Sequence, residues 1–213
     1  TGTLQILEKA KGNPIYQFTK IYGIGPKRAK TLVEKDGVTT IEELRQRQDE
    51  LLNNVQRKGL KHYEDVLLRI QRREIDEYKS ILEKIFAKLP SKAGSSFDIV
   101  GSYRRGNSDS GDIDIIVTNN ENNTVVFKEF LEALQKEGLL IELLSKGKVK
   151  SLAIGRIKNY PARRLDFMYS PPDEYAFAVL YFTGSKAFNV VMRQRALNVG
   201  YSMNEHGLYE MKG

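Results

Sequence analysis

The stretch Gly101–Val117, GSYRRGNSDSGDIDIIV, decides how the second half of this chain is read. A small-residue turn and two arginines lead into two carboxylates one residue apart, and an apolar run follows. The pattern DIDIIV is that of a strand. Strand side chains alternate between faces, so Asp112 and Asp114 point the same way. Two carboxylates within ~7 Å on one face repel each other unless a cation lies between them. A strand edge with solvated acids would carry the same D-x-D. The neighbours favour a ligand. Gly101 and Ser102 follow a strand-like FDIV, and such a turn can present backbone N–H groups to a phosphate. Arg104 and Arg105 add positive charge, and Gly106 and Gly111 leave the backbone open to approach. A phosphate cradle beside a carboxylate pair suits a metal-dependent nucleotide site, in which the cation bridges acid and phosphate.

A two-metal site usually needs a third acid. In ARRLDFMY, residues 162–169, Asp166 is the one acid among apolar and basic neighbours. Alternation puts it on a face with Arg164 and Met168, while Leu165, Phe167 and Tyr169 face the other way. A simple ion pair with Arg164 is one reading. A carboxylate that binds the catalytic metal and the attacking 3′-hydroxyl is the other. A metal that lowers the hydroxyl pKa needs no histidine base.

Composition narrows the chemistry. The 213 residues are 40% hydrophobic, enough for a core in one large domain or two or three small ones. Net charge is +7 and the pI about 9.4, which favours a polyanionic partner such as nucleic acid. Residues 1–90 alone hold 18 Lys and Arg against 13 Asp and Glu. There is no cysteine, so disulfides and thiolate zinc sites are excluded. With His62 and His206 the only histidines, metal chemistry falls to carboxylates, which suit Mg²⁺ or Mn²⁺. Neither histidine has neighbours resembling a ligand set. No apolar run approaches the ~20 residues of a membrane span. No secretory signal is visible, and a soluble intracellular protein is expected, nuclear if eukaryotic. The chain opens TGTLQILEKAKG without an initiator Met, which reads as a processed form or a fragment.

The expected fold class is α+β. Residues 3–90 read as helical, from the spacing in ELRQRQDELLNNV and in KHYEDVLLRIQRREIDEYKSILEKIFAKL. Pro90 and SKAGSS then break the pattern and place a domain boundary. Beyond it come strands at FDIVGS, DIDIIV, VKSLAIGRI and ARRLDFMY, in an antiparallel or mixed sheet, with an amphipathic helix at TVVFKEFLEALQKEG. From Pro171 the chain reads as two helices around T-G-S. The expected domains are 1–90, 91–170 and 171–213, which the resemblance described below implies to be a helical DNA-binding part, a catalytic palm and a short nucleotide-selecting part.

YGIGPKRAKTLVEKDG, residues 22–37, follows another logic. A G-x-G-P turn enters a cation-rich helix, and Pro26 suits its first turn. The free N–H groups of that turn could meet a phosphate. An ordinary helix–helix turn with a basic surface would look alike. The functional reading is a helix-hairpin-helix that grips DNA backbone without reading bases, through Gly23, Gly25, Lys27 and Arg28. Tyr181 and Phe182 could be helix-end core aromatics. Asn189 and Arg193, four apart, share a helix face that could simply be solvated.

GSYRRGNSDSGDIDIIV, RRLDF and LYFTGSKAFNVVMR, in that order, resemble the family X DNA polymerases. TGTLQILEKA, YGIGPKRAK, GLKHYEDVLLRIQRREI and LLSKGK match in order too, so the resemblance covers nearly the whole chain. G-S with a later D-x-D alone would mark only the wider nucleotidyltransferase superfamily; Y-F-T-G-S followed by N and R narrows it. The resemblance implies a DNA-directed DNA polymerase filling short gaps in repair, including base excision repair. Asp112 and Asp114 would bind two Mg²⁺, with Mn²⁺ able to substitute, and Asp166 the catalytic one. A primer 3′-hydroxyl would attack the α-phosphate of a deoxynucleoside triphosphate. Ser102, Arg105, Gly111 and Arg69 match triphosphate-binding positions, and Arg164 one that holds the catalytic acid. Tyr181, Phe182 and the Thr183-Gly184 backbone match the sugar site, Asn189 the minor-groove edge of the incoming base, and Arg193 the template strand. Lys186 departs from the pattern, standing where an acid occurs near the incoming base. The resemblance also implies Na⁺ or K⁺ on backbone carbonyls of Thr19, Ile21 and Ile24, and a monomer working on gapped or primer-template DNA.

In the family a small lyase domain precedes the stretch matching Thr1, so no 5′-deoxyribose-phosphate lyase activity is expected. The family also continues past the stretch matching Tyr209, so the C-terminal subdomain is expected to be incomplete. Template-independent nucleotide addition and a non-catalytic DNA-binding module stay open as alternatives.

Overall fold

A computed structural model describes residues 12–212. The stretch TGTLQILEKA lies outside the described residues. The chain forms two compact units that meet at Leu67/Leu68.

The first unit is helical. Asn13 caps α1 (Pro14–Thr19) by accepting from Ile15 N, and Pro14 fills the first helical position. A turn then leads to α2 (Pro26–Glu34), which again starts with proline. Four short helices follow: α3 (Ile41–Gln46), α4 (Gln48–Leu51), α5 (Asn54–Lys61) and α6 (Tyr63–Leu67). Thr40 caps α3, and Asn53 with Gln56 forms a capping box on α5. Phe18, Ile21, Ile24, Ala29 and Leu32 pack with Val38, Leu44, Leu52 and Leu60 into this unit's own core.

The second unit is built on a mixed sheet. β1 (Ile70–Gln71) leads directly into α7 (Arg72–Phe86). Then come β2 (Ser95–Ile99), a single helical turn α8 (Gly101–Arg104), β3 (Asp109–Ser110), β4 (Ile113–Asn119), α9 (Val125–Lys136), β5 (Leu140–Lys146), β6 (Lys150–Gly155) and β7 (Arg163–Tyr169). The five-stranded order is β2-β4-β7-β6-β5, with β4 and β7 parallel and the other pairs antiparallel. β1 pairs with β3 as a separate two-residue ribbon. Helices α10 (Tyr175–Thr183) and α11 (Lys186–Asn198) and the hairpin β8 (Tyr201–Met203) and β9 (Leu208–Glu210) complete the unit. No helix among the described residues is long and apolar enough to cross a membrane.

One sheet face is covered by α7 and α9. Ile113, Ile115, Val117, Leu165, Phe167 and Tyr169 project into a cluster with Tyr78, Leu82, Phe127 and Phe130. Phe86, Phe97 and Phe130 lie 5.0–5.4 Å apart by ring centroid, a trio in which each pair contributes about 0.5–1.5 kcal/mol beyond area burial. The other face is covered only in part, where Val100, Ile116 and Met168 pack against Ala178 of α10.

The packing divides the chain at Leu67/Leu68 and not at Pro90. Ile75, Tyr78, Leu82 and Phe86 recur at helical spacing on α7 and are buried against the sheet, so α7 belongs to the second unit's core. The helical periodicity of Lys61–Leu89 is also broken at its middle. Ile70, with no exposure, pairs in backbone register with Ser110, and this pairing replaces a helical turn.

Candidate active site

The parallel register of β4 and β7 sets Asp114 directly opposite Asp166. Adjacent strands run ~4.8 Å apart, which brings the two carboxylates together. Asp112 stands one residue ahead of β4 on the same side. Oxygens of all three carboxylates lie within 4.8 Å of one another. They occupy the part of the sheet face that α10 leaves uncovered.

Such a cluster is electrostatically uncomfortable on its own. Burial first, then Asp112 and Asp166, push the Asp114 carboxyl up to about 7. Asp112 reaches solvent, yet the protein beneath it and the Asp166 charge raise its carboxyl as well. Arg164 gives partial relief by donating Nη2 to Asp166 Oδ1 at 2.7 Å. The ion pair and the convergence of acids therefore coexist; the two readings of Asp166 were not exclusive. The donors are all oxygen, the repulsion is only partly relieved, and no histidine takes part. This set fits hard divalent cations.

The small-residue turn is built tightly against the acids. Val100 N donates to Asp114 O at 2.8 Å. Gly101 follows with φ +65°, and a Cβ there would lie 2.7 Å from Asp114 Oδ2, so both conformation and space require glycine. Ser102 Oγ donates to Ser110 Oγ at 2.5 Å. Arg69 Nη2 donates to Asp109 Oδ1 at 2.8 Å, and its Nη1 lies 3.2 Å from where a Cβ on Gly111 would be. Arg72 supports the same loop: Nη1 donates to Tyr103 O at 2.7 Å, and the guanidinium lies 4.1 Å from the centroid of the Tyr103 ring.

The T-G-S segment closes toward this turn. Arg105 Nη1 donates to Thr183 O at 2.7 Å, and Arg104 Nη1 to Thr183 Oγ1 at 3.3 Å. Both arginines thus hold the end of α10. Tyr181 and Phe182 meet edge to face at 4.9 Å, with Phe182 set against the Val100–Met168 cluster. Asn189 Nδ2 donates to Tyr181 O at 2.8 Å. The Arg193 guanidinium lies 4.7 Å from the Tyr181 ring centroid and 3.4 Å from Glu205. Lys186 is exposed at the first position of α11, which Ser185 caps.

Three family models match the chain in order. They are the fingers domain of DNA polymerase lambda over residues 16–67, the DNA polymerase beta palm over 69–172, and the DNA polymerase beta thumb over 178–213. The structure of Leishmania infantum polymerase beta in a ternary gap complex matches with a TM-score of 0.88 and 32% identity, over 94% of this chain and 71% of that one. This chain belongs to the family X DNA polymerases. Among sequence relatives, DNA polymerase lambda of Arabidopsis thaliana is 31% identical over 98% of this chain, and that of Rattus norvegicus 34% identical over 90%. The family X chain spans 42% and 34% of those two proteins' lengths. The DNA nucleotidylexotransferase of Xenopus laevis is 25% identical over 97% of this chain and 48% of that protein.

In the first unit of this family X chain, a hydrogen-bonded turn joins α1 and α2. Gly23 has φ +88°, and its carbonyl accepts from buried Gln56 Nε2 at 2.9 Å. Ile24 N donates to Ile21 O at 3.1 Å, and Thr19 Oγ1 to Tyr16 O at 2.6 Å. Gly25 caps α2, and Lys27 is exposed on its first turn. Arg28 differs. It donates Nη2 to Leu51 O at 2.5 Å and lies 3.5 Å from Asp36, so its guanidinium is committed within the unit. The residue type showed its charge; only the fold shows where that charge is used.

Sequence reasoning missed Gln56, Arg72 and the buried pair Glu74–Arg163. Arg72 and Arg163 each sit in an Arg-Arg doublet, and nothing local distinguishes the member that bonds inward from its neighbour. Gln56 did carry a signal, N-N-V-Q, which matches a capping box.

Proposed function

We propose that this chain is the polymerising part of a DNA-directed DNA polymerase that adds deoxynucleotides to a primer 3′-hydroxyl, filling short gaps in repair. The observation that carries the reading is the convergence of Asp112, Asp114 and Asp166 within 4.8 Å beside the Gly101–Ser102 turn. Asp112 and Asp114 would hold two divalent ions, Mg²⁺ or Mn²⁺, and Asp166 one of them. When bound, the ions would stabilise the developing charge and lower the hydroxyl pKa. The chain's own residues supply position. Arg164 fixes the Asp166 carboxylate. Ser102, Arg105, Gly111 and Arg69 bind the triphosphate. Tyr181, Phe182 and Gly184 confine the sugar, which excludes a ribose 2′-hydroxyl. Asn189 and Arg193 test the shape of the nascent pair through minor-groove acceptors shared by all base pairs. Holding hydroxyl and phosphate in line is the larger part of such catalysis.

In the first unit, Gly23, Gly25 and Lys27 present the α2 N-terminus to a DNA phosphate, with Arg28 bracing the hairpin from behind. Carbonyls of Thr19, Ile21 and Ile24 would hold a monovalent cation there. The two Leishmania infantum structures are a gap complex and a primer/template complex, which supports the same kinds of DNA as partners here.

Primer extension with Mg²⁺ on gapped DNA tests the reading. Incorporation that follows the template base, and that is lost in Asp112→Ala, is expected. Addition that ignores the template would favour the template-independent alternative. DNA binding without any extension would leave only a binding module.

A further inference from the structure

Arg163 stands three residues before Asp166 on β7. Its side chain is 6% exposed, and that of Glu74 on α7 is 4% exposed. Arg163 Nε donates to Glu74 Oε2 and Nη2 to Glu74 Oε1, both at 2.7 Å. This is a bidentate fork, the strong form of the arginine–carboxylate pair. The remaining nitrogen, Nη1, donates to Leu68 O at 3.2 Å. That carbonyl belongs to the peptide that enters Arg69. Apolar side chains of equal volume would hold α7 to the sheet at least as well. They could not supply a directed donor to one carbonyl.

The segment fixed in this way is the one that faces the acids. Arg69 contacts Asp109, while Ile70 and Gln71 pair with Ser110 and Asp109, immediately ahead of Gly111 and Asp112. The Arg69 side chain is 56% exposed, so its backbone is its firm anchor. A single buried guanidinium therefore links the strand of the third aspartate to the segment that carries Arg69 and supports the loop of the first.

We propose that Arg163, oriented by Glu74, is a positioning residue that sets Arg69 relative to the aspartates and so governs the grip on the triphosphate. The proposal rests on the reading of Arg69 as a triphosphate ligand. Arg163→Lys keeps the charge and loses the fork. It is expected to raise the KM for the incoming nucleotide about tenfold while kcat changes no more than about twofold. Arg69→Ala should do the same. The double variant should be no worse than Arg69→Ala alone, because residues that act through one another are not additive. Glu74→Gln keeps an acceptor at the site and should show a smaller shift of the same kind if Arg163→Lys does not fold. Effects that multiply in the double variant, or a loss of melting temperature with KM unchanged, would overturn the proposal. A wild-type protein that incorporates nothing would defeat the polymerase reading instead. The clamp is then judged by titration with inorganic tripolyphosphate: binding weakened by Arg69→Ala and equally by Arg163→Lys supports it, and binding indifferent to Arg163→Lys refutes it.

Discussion

Asp114 is the residue at which folding and chemistry conflict. Its carboxyl is raised from 3.8 to about 7 by burial and by two neighbouring acids. The folded chain therefore holds this proton to higher pH than the unfolded chain does. The group's contribution to stability is fully present below about pH 4 and is lost as pH rises through 7. Asp114→Asn removes that dependence. In chelator, the difference in melting temperature between variant and wild type should grow in the variant's favour from pH 4.5 to pH 8, at about 2–4 °C for each kcal/mol. Added Mn²⁺ should raise the wild-type midpoint at pH 8 and leave the variant nearly unmoved; a melting difference independent of pH would contradict the assignment. Gly101 is the second such residue. In Gly101→Ala the Cβ would meet Asp114 Oδ2 at 2.7 Å, and only backbone or carboxylate movement relieves it. A displacement near 1 Å at reacting groups costs about 10²-fold, so kcat should fall by that order with DNA affinity unchanged.

Among the elements, α5 packs closely against the hairpin turn in the first unit. A Cβ at Gly59 would stand 2.7 Å from Tyr22 O and 3.0 Å from Tyr22 N, both backbone atoms that cannot swing aside. Gly59→Ala should push α5 from the turn, destabilise the unit by about 1–3 kcal/mol and weaken binding to gapped DNA several-fold. A melting temperature and a DNA affinity in Gly59→Ala equal to those of the wild type would refute this account. Element patterns were legible to different degrees. The hairpin, α9, α10 and α11 carried proline, cap or periodic signals. β5 did not: LIELLSK is a mixed pattern on an edge strand with two register irregularities. The helical reading of Leu68–Gln71 failed because periodicity cannot see a pairing partner 40 positions away.

For the whole molecule, the division at Leu67/Leu68 has a direct consequence. The first unit owns a separate nine-residue buried cluster, and side chains cap its helices α1, α3 and α5. Domains of 55–65 residues often fold alone. Residues 12–67 expressed alone should therefore give a cooperative helical melt and retain salt-sensitive DNA binding, with no nucleotide incorporation. A fragment cut at Pro90 should fare worse, because it would carry the apolar face of α7 without the sheet that buries it. A non-cooperative melt of residues 12–67 would show that the first core cannot stand by itself.

Read alone, the sequence determined the features written in short spacings. These are the two-residue step that aligns Asp112 with Asp114, the proline and glycine that shape the hairpin, and the helical periods of α9 and α11. The tertiary structure alone decided that β4 and β7 run parallel with Asp114 opposite Asp166, that Arg28 is used inward, and that Arg163 reaches Glu74 from 89 positions away. The reason is physical. A strand or helix repeat is fixed by backbone geometry within a few residues, whereas register, burial and the choice of an ion-pair partner are settled only when distant segments compete for one core.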